Sequence, residues 1–368
     1  MSFLFALLSA AALTPLGQAD DPEPLGEPTL VEAGRHWFDL RSLQIEGLPE
    51  GERAHPYDRL PARAETMVRP PVWSLSHDSA GIVARFHSDS TAIDVRWTLR
   101  KAKLAMTHMP ATGVSGVDLY VRQDGKWRWV HNAKPQGIEN SANLVRGLSG
   151  TTREYMLYLP LYNGVDTVML GLDAGCRVLR PAARSKPIVF YGTSITQGAC
   201  ASRPGMAHVA ILGRRLDCPV VNFGFSGNGK LETPFVEFLG EIDAAVYVLD
   251  CLPNLNGAEV RARTVPFVRA LRARRPTTPI LLVEDRSYAD ADFQPDRRQR
   301  NQSNRESLRA CYQELQDSGV GGLVYLEGAG LLGSDGEGTV DGSHPTDLGF
   351  MRQADAFERA LRPLLPRR

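Results

Sequence analysis

The sequence predicts an α/β chain in which a β-sandwich domain precedes a three-layer α/β/α domain. Before about residue 180, short strand-like segments alternate with turn residues, and this pattern favours a sandwich. From residue 186 onward, apolar strands alternate with helical segments, which is typical of a parallel sheet covered on both faces. The composition changes at the same point, because all five tryptophans precede it: Trp37, Trp73, Trp97, Trp127 and Trp129.

We assign the first domain to residues 30–182. Asp124-Gly125 between two strand-like segments predicts a hairpin. The segments with strand length and composition are Ile82–Phe86, Ala92–Trp97, Val117–Val121, Trp127–Val130, Tyr155–Leu159 and Val168–Leu172.

The second domain is assigned to residues 186–366, on five strand–helix units. Its predicted strands are Ile188–Tyr191, Val220–Phe223, Ala244–Leu249, Ile280–Val283 and Leu323–Leu326. The predicted helices cover Pro204–Leu216, Pro234–Leu239, Ala258–Arg274, part of 297–317, and the segment after Pro345.

Length and charge limit the functional class. A chain of 368 residues accommodates two domains and a large core. Lys+Arg and Asp+Glu both number 42, so no net field concentrates nucleic acid or an anionic membrane surface. A nucleic-acid partner is therefore not expected.

Residues 1–19 are predicted to be a signal peptide. The apolar segment 2–13 is too short to span a bilayer, and Gly17 and Ala19 are small residues at a cleavage site. The protein is then expected to be exported, to the periplasm or outside the cell, with no membrane span after cleavage. The segment lacks Lys and Arg, so an uncleaved anchor or a misassigned start codon remains an alternative.

Five cysteines cannot all pair within one chain, and their spacing matches no zinc site. One disulfide, between Cys200 and Cys251, is one interpretation for an exported protein. Buried free thiols are the other.

Ser194 is the candidate nucleophile, because it follows a buried apolar strand and lies where open α/β sheets bind ligands. A neutral alcohol needs an imidazole base, oriented in turn by a carboxylate. His344 and Asp341 supply both from one loop, although Asp341 as a turn or cap residue is the alternative. His208 lies among apolar residues of a predicted helix, so we expect a packed or surface histidine there.

Four segments resemble, in order, the four conserved blocks of the SGNH/GDSL hydrolase superfamily. They are Gly192–Thr196, Asn222–Asn228, Asp250–Asn254 and Asp341–His344. The run Gly116–Tyr120 is similar to the Gly-x-Asp-Leu-Tyr motif of an N-terminal β module found with some of these esterases. The resemblance implies an SGNH-type hydrolase fold, with Ser194, Asp341 and His344 as the catalytic triad. Two blocks depart from the family pattern: Gly-Thr-Ser replaces Gly-Asp-Ser in the first, and Asp-Cys-Leu-Pro-Asn replaces Gly-x-Asn-Asp in the third.

The resemblance also implies an oxyanion hole formed by Ser194, Gly227 and Asn254. The backbone N–H groups of the first two and the side-chain amide of Asn254 follow three successive predicted strands, so they can converge on one oxygen. Turn geometry is the alternative role of Gly227, and an Asx turn that of Asn254.

We therefore expect a serine esterase that hydrolyses small acyl esters, with O-acetyl esters on carbohydrates as substrates, through an acyl-enzyme and without a cofactor or metal. The alternatives are a general short-chain carboxylesterase and an inactive, carbohydrate-binding surface protein. An α/β-hydrolase is disfavoured because the chain lacks Gly-x-Ser-x-Gly, and a metal-dependent deacetylase because the second domain has few histidines. The oligomeric state is left open.

Overall fold

The computed structural model describes residues 22–184 and 186–366. The predicted signal peptide, residues 1–19, lies outside the described residues. In the described part of the chain, no helix has both the length and the apolar character that crossing a membrane requires.

The N-terminal part is built from β-strands. In chain order they are β1 (Glu23–Pro24), β2 (Leu30–Glu32), β3 (Arg35–Asp39), β4 (Gln44–Glu46), β5 (Val83–Ser88), β6 (Ile93–Leu99), β7 (Val117–Gln123), β8 (Lys126–Ala133), β9 (Glu139–Val145), β10 (Arg153–Tyr158), β11 (Val165–Asp173) and β12 (Val178–Arg180). Two short helices, α1 (Pro70–Ser76) and α2 (Ala111–Val114), and two 3₁₀ turns (Leu40–Ser42 and Ala62–Thr66) connect them.

These strands form two antiparallel sheets that share one core. One sheet has the order β1-β12-β5-β10-β7-β8, with β4 also paired to β5, and the other has the order β2-β3-β11-β6-β9. Phe86 and Leu119 of the first sheet and Val95 and Leu170 of the second belong to one buried cluster. The predicted β-sandwich is therefore confirmed.

The predicted strands correspond to β5, β6, β7, β8, β10 and β11, and the predicted hairpin joins β7 to β8. Gln123 pairs with Lys126 across its turn. Asp124 and Gly125 both have positive φ, as a two-residue turn with the twist of the strands requires. The sequence did not reveal β1 to β4, β9 and β12. All of these except β9 have two to five residues, and β9 is largely polar.

The C-terminal part alternates strands and helices. Its strands are β13 (Ile188–Gly192), β14 (Val220–Gly224), β15 (Val246–Asp250), β16 (Ile280–Val283) and β17 (Leu323–Leu326). Its helices are α3 (Ser194–Gln197), α4 (His208–Arg215), α5 (Val236–Glu241), α6 (Gly257–Arg274), α7 (Pro295–Asp317) and α8 (Asp347–Leu361). Short 3₁₀ turns cover Pro204–Met206, Thr233–Phe235, Leu252–Asn254 and Arg362–Leu364.

The five strands form a parallel sheet in the order β14-β13-β15-β16-β17. Helices α5, α6 and α7 bury residues such as Phe267 and Leu308 against one face. Helices α4 and α8 bury Leu212 and Phe357 against the other. The three-layer α/β/α architecture is therefore confirmed.

Two predicted helices begin later than expected. The helix predicted from Pro204 is a 3₁₀ turn followed by α4, because Ala207 has extended backbone angles (φ −58°, ψ 136°) that break the helical path. The helix predicted from Pro234 likewise begins as a 3₁₀ turn and continues as α5 to Glu241.

The order of the sheet locates the functional edge. The chain passes from β13 to β14 on one side and then to β15 on the other, so the strand order reverses at β13. Ligands of such sheets bind beyond the carboxyl ends of the strands at this reversal. Here those ends are Gly192, Gly224 and Asp250.

Arg59 joins the sandwich to the parallel sheet. It is fully buried, and its guanidinium donates to the carbonyl oxygens of Asn222 (3.0 Å) and Gly224 (2.6 Å) at the end of β14. It also donates to the carbonyl oxygens of Leu75 and Asp78 in its own half. Burial lowers the pKa of Arg59 to about 10, so the side chain is still a cation at neutral pH.

Asp118, in the Gly-x-Asp-Leu-Tyr run, forms a second junction. Its carboxylate accepts hydrogen bonds from the Arg203 guanidinium (2.7 Å) and the Gly205 N–H (2.9 Å), which lie in the loop after α3. Those two bonds are to Oδ2 of Asp118, and Oδ1 accepts from the indole N–H of Trp129 (2.8 Å). The hydroxyl of Tyr120 contacts the same guanidinium. The motif therefore anchors the sandwich to the loop that follows the candidate nucleophile.

Cys200 and Cys251 do not form the disulfide that was one interpretation of the sequence, and both are free thiols. Cys251 is buried beneath β13, where its thiol donates to the carbonyl oxygen of Tyr191 (3.5 Å). Cys200 lies in the loop after α3. Burial raises the pKa of Cys200 to about 12, so this thiol is neutral.

Candidate active site

Ser194 lies at the edge of the sheet where the strand order reverses. The strand β13 ends at Gly192, and Ser194 is the first residue of the short helix α3. Thr193 caps this helix, because its hydroxyl oxygen accepts from the N–H of Ile195 (3.2 Å). Packing leaves Ser194 only 8% exposed, so the rest of the chain fixes its position.

The structure brings Ser194, His344 and Asp341 together. The Ser194 hydroxyl lies 2.8 Å from Nε2 of His344, and Nδ1 of His344 lies 2.7 Å from Oδ2 of Asp341. A hydroxyl, an imidazole and a carboxylate in this order can pass a proton from the serine to the imidazole. The carboxylate holds the tautomer that leaves Nε2 able to accept that proton.

The loop that carries Asp341 and His344 is closed by its own backbone. Oδ1 of Asp341 accepts from the N–H groups of Ser343 (3.0 Å) and His344 (2.8 Å). The N–H of Val340 donates to the carbonyl oxygen of His344 (2.9 Å). Gly342, at φ 87°, occupies the left-handed conformation that the reversal needs.

Electrostatics keep Asp341 ionised. Partial burial raises the pKa of its carboxyl, but hydrogen bonds from the backbone and imidazole of His344 and from the Ser343 N–H lower it by more. The pKa therefore lies below the usual aspartate value, and the carboxylate can stabilise an imidazolium.

The predicted oxyanion residues surround the same edge. No described residue accepts a hydrogen bond from the backbone N–H of Ser194 or of Gly227. Gly227 has φ 68°, which a residue with a β-carbon adopts only with strain. The Asn254 amide donates to the carbonyl oxygens of Phe225 (3.4 Å) and Gly229 (3.2 Å), so it braces the loop that contains Gly227.

Glycines allow this loop to approach Ser194 closely. A β-carbon on Gly224 would lie 2.1 Å from the backbone nitrogen of Gln197, and one on Gly229 would lie 1.8 Å from the carbonyl oxygen of Gly192. Both distances are shorter than any van der Waals contact. The loop after β14 can therefore pack against β13 and α3 only with glycine at these positions.

The side chains of Thr196 and Gln197, the last two residues of α3, point inward rather than into an open pocket. Thr196 donates to the carboxylate of Asp250 (3.0 Å), which accepts two hydrogen bonds from the buried guanidinium of Arg286. Gln197 is fully buried and contacts Asp78 of the sandwich. Thr196 and Gln197, polar residues that follow Ser194 in the sequence, thus help to hold the helix that Ser194 begins.

The N-terminal half contributes side chains that sequence reasoning missed. The hydroxyl of Tyr162 donates to the carbonyl oxygen of Ser194 (3.2 Å). The ring of His108 lies 5.8 Å from that of His344, centroid to centroid. Both residues lie in loops between strands, where no motif marks them. Only the packing of the two halves brings Tyr162 to Ser194 and His108 to His344.

His208 is packed in the core, which is one of the two roles expected from the sequence, and it does not contact Ser194. It is fully buried, stacks on Phe350 and meets Phe190 edge to face. Neither ring nitrogen has a hydrogen-bond partner among the described residues. Burial, with a smaller effect of Arg286, lowers the pKa of His208 well below the usual value, so the ring is neutral.

Comparison with known proteins identifies the family. A model of the GDSL-like lipase/acylhydrolase family matches residues 185–362, and a model of the N-terminus of SGNH-hydrolase-type esterases, named GxDLY, matches residues 35–178. A GDSL-like lipase from Bacteroides ovatus is 32% identical, with a TM-score of 0.85 over 90% of this chain and 98% of that one. The chain belongs to the GDSL-like lipase/acylhydrolase family. The resemblance inferred from its four blocks is thereby confirmed.

Two further structures share the fold of this GDSL-like protein. The salicylyl-acyltransferase SsfX3, from a tetracycline biosynthetic pathway, is 21% identical, with a TM-score of 0.72 over 91% of this chain and 98% of that one. The acetyl xylan esterase Est2A from Butyrivibrio proteoclasticus is 10% identical, with a TM-score of 0.55 over 89% of this chain and 98% of that one. No curated protein matches the sequence. As a member of the GDSL-like family, the chain is a carboxylic ester hydrolase.

Proposed function

We propose that this protein is a serine esterase that removes small acyl groups, O-acetyl above all, from carbohydrates. The observation that carries the proposal is the continuous contact from Ser194 through His344 to Asp341 at the carboxyl end of β13. The order of groups is the one that makes an alcohol nucleophilic at neutral pH.

In the proposed reaction, His344 takes the proton of Ser194 as its hydroxyl oxygen attacks the ester carbonyl carbon. The tetrahedral intermediate collapses when the bond to the alcohol oxygen breaks and His344 returns the proton to that oxygen. The free alcohol leaves, and the acyl group stays on Ser194. Water, activated by His344, then hydrolyses this acyl-enzyme and restores the serine.

The negative oxygen of each intermediate needs donors already in place. We assign this role to the backbone N–H groups of Ser194 and Gly227 and to the amide of Asn254. The first two support the assignment because they have no acceptor among the described residues. For Asn254 the support is the resemblance of its segment to the third family block, because its amide here donates to the carbonyl oxygens of Phe225 and Gly229. Each such donor accounts for about 10² to 10³ in rate.

The preference for a short acyl group is supported by the packing around the nucleophile. Ser194 is 8% exposed, and Tyr162, whose hydroxyl donates to the Ser194 carbonyl oxygen, is buried. Each extra methylene gains about 0.8 kcal/mol only where apolar surface can bury it. A long acyl chain would therefore gain little here.

A carbohydrate as the alcohol part is supported by Trp129. It is 50% exposed, whereas Trp37 and Trp97 are buried in the sandwich. Asp118 holds its indole N–H, and the Arg203 guanidinium lies 4.9 Å from its ring centroid. This fixed, exposed aromatic side chain lies beside the loop that follows α3. The shared fold of the acetyl xylan esterase agrees with such a substrate.

The proposal extends to organisation and location. Residues 30–182 would form the sandwich domain and residues 186–366 the hydrolase domain, although β1 begins before residue 30. Export after removal of residues 1–19 would bring the enzyme to acetylated glycans outside the cytoplasm.

A substrate screen tests the proposal. The purified protein is assayed on 4-nitrophenyl acetate, butyrate and octanoate and on acetylated xylan, with Ser194→Ala as the control. We expect the highest kcat/KM on the acetyl esters and release of acetate from the glycan. Preference for octanoate, or no acetate from acetylated glycans, would favour a general carboxylesterase instead.

A further inference from the structure

His108 lies at the active site although it belongs to the N-terminal half. It is half-buried, and its ring centroid is 5.8 Å from that of His344, with the two ring planes at 46°. Its Nδ1 lies 3.4 Å from the hydroxyl of Thr107. No described residue forms a hydrogen bond with its Nε2, so this nitrogen is available to a ligand.

The loop that carries His108 is held rigidly. The backbones of Met106 and Met109 exchange two hydrogen bonds (3.0 and 3.2 Å), which place Thr107 and His108 at the tip of a tight reversal. Met109 is 2% exposed and packs in the core beneath the parallel sheet. These contacts fix the backbone that carries the imidazole.

The next residues fix the loop to the segment after α3. The hydroxyl of Thr112 donates to the carbonyl oxygen of Ser202 (2.6 Å). Gly113 packs on the carbonyl oxygen of Ala201, which a β-carbon would approach to 2.2 Å. These contacts join His108 to the same loop that follows Ser194.

His108 does not have the contacts of a second general base. The hydroxyl of Ser194 contacts His344, and Asp341 contacts His344 as well. His108 has no carboxylate partner among the described residues. An imidazole with a free nitrogen next to a general acid–base is suited to bind the substrate.

We propose that His108 binds the alcohol part of the substrate, by a hydrogen bond to the hydroxyl next to the esterified oxygen. The inference rests on the proposed function. His344 must return its proton to the departing alcohol oxygen, so that oxygen lies beside His344. Because the ring of His108 lies 5.8 Å from that of His344, it lies near the position of this departing alcohol. The substrate class is the monoester of a vicinal diol, as in a sugar ring.

Two esters that differ in a single hydroxyl test this assignment. Cyclohexyl acetate and trans-2-hydroxycyclohexyl acetate are compared as substrates of the wild type, His108→Ala and His108→Gln. A hydrogen bond of ordinary strength predicts that the wild type prefers the hydroxylated ester, and that His108→Ala lowers this preference about tenfold. His108→Gln, which keeps a polar donor and acceptor, should retain part of the preference.

His36→Ala is the matched control, because His36 is a partly buried histidine of the second sandwich sheet. His36→Ala should leave unchanged the ratio of kcat/KM on the hydroxylated ester to kcat/KM on cyclohexyl acetate. An equal loss on both esters, or an unchanged ratio in His108→Ala with native melting temperature, would overturn the assignment. If His108→Ala does not fold, an unchanged ratio in His108→Gln and equal rates of the wild type on both esters would overturn it. A wild type inactive on both esters would instead contradict the proposed function itself.

Discussion

Gln197, three residues after Ser194, donates a hydrogen bond to the carboxylate of Asp78 in the sandwich (3.1 Å). Its amide also donates to the carbonyl oxygen of Leu161 (3.2 Å), and its carbonyl oxygen accepts from the N–H of Ser226 (3.1 Å). One side chain thus connects the helix α3, the N-terminal half and the loop that contains Gly227.

Gln197→Ala should destabilise the protein by about 3 kcal/mol. The substitution leaves the buried Leu161 carbonyl, the Ser226 N–H and Asp78 short of partners, and each such loss costs about 1–3 kcal/mol. Urea unfolding gives the free energy, and kcat should fall as well because the loop after β14 loses a support. Gln313→Ala, an exposed change on α7, is the control and should stay within about 0.5 kcal/mol. A Gln197→Ala protein as stable as this control would contradict the role.

Ser194→Ala and His344→Ala should each reduce ester hydrolysis to near background, because no described group replaces the nucleophile or its base. Asp341→Asn should keep roughly ten- to a hundredfold more activity than either alanine variant, since the base His344 remains. Since the pKa of Asp341 lies below its usual value, its protonation should not limit activity near pH 5. Steady-state rates on 4-nitrophenyl acetate measure all three. Retention of more than about a hundredth of wild-type activity by Ser194→Ala would exclude it as the nucleophile.

Asn254→Ala should lower kcat by roughly 10² with little change in KM, because an oxyanion donor acts in the transition state. Asn256→Ala is a matched control two residues away. Asn256 caps α6 by accepting from the N–H of Glu259 (3.0 Å), so its loss should cost about 1 kcal/mol of stability and leave kcat unchanged. If Asn254→Ala behaves like this control, Asn254 only braces the Gly227 loop.

His208 should make the fold sensitive to acid. In the unfolded chain a histidine takes up a proton near pH 6.5, whereas His208 in the folded protein stays neutral because its pKa is lowered. Its contribution to stability is therefore complete above pH 6.5 and is lost as the pH falls. Between pH 7 and 5.5 the unfolding free energy of the wild type should fall by about 1 kcal/mol more than that of His208→Phe. Phenylalanine is chosen because its ring suits the same aromatic neighbours. Urea unfolding at both pH values measures this difference, and equal losses would contradict it.

The strands of the parallel sheet could be predicted closely because four of the five are buried at every residue, and the fifth, β17, is partly buried. The structure gives β16 and β17 the predicted bounds, Ile280–Val283 and Leu323–Leu326. By contrast, β9 reads Glu-Asn-Ser-Ala-Asn-Leu-Val, and its pairing with β6 rather than its composition makes it a strand. Local pattern suffices where burial dictates composition, and fails where a neighbouring strand supplies the stabilisation.

The same distinction applies to the site. Ser194, Asp341 and His344 lie in segments whose turn residues and spacing mark them, and the structure brings these three together. Arg59, Asp78 and His108 lie in loops without such marks. Their contacts with the end of β14, Gln197 and His344 depend on how the sandwich packs against the parallel sheet, and no local pattern encodes that packing.

Arg59 has an evolutionary consequence. A recombination event near residue 185 would join one half of this chain to the other half of a different protein. A parallel-sheet domain separated in this way from Arg59 would have the carbonyl oxygens of Asn222 and Gly224 without their buried cation. Descendants of such an event would need a compensating change at once, in the loop that shapes the catalytic edge. The two halves are therefore expected to be inherited together, and chimeras designed from relatives should exchange the sandwich and the parallel-sheet domain as one piece.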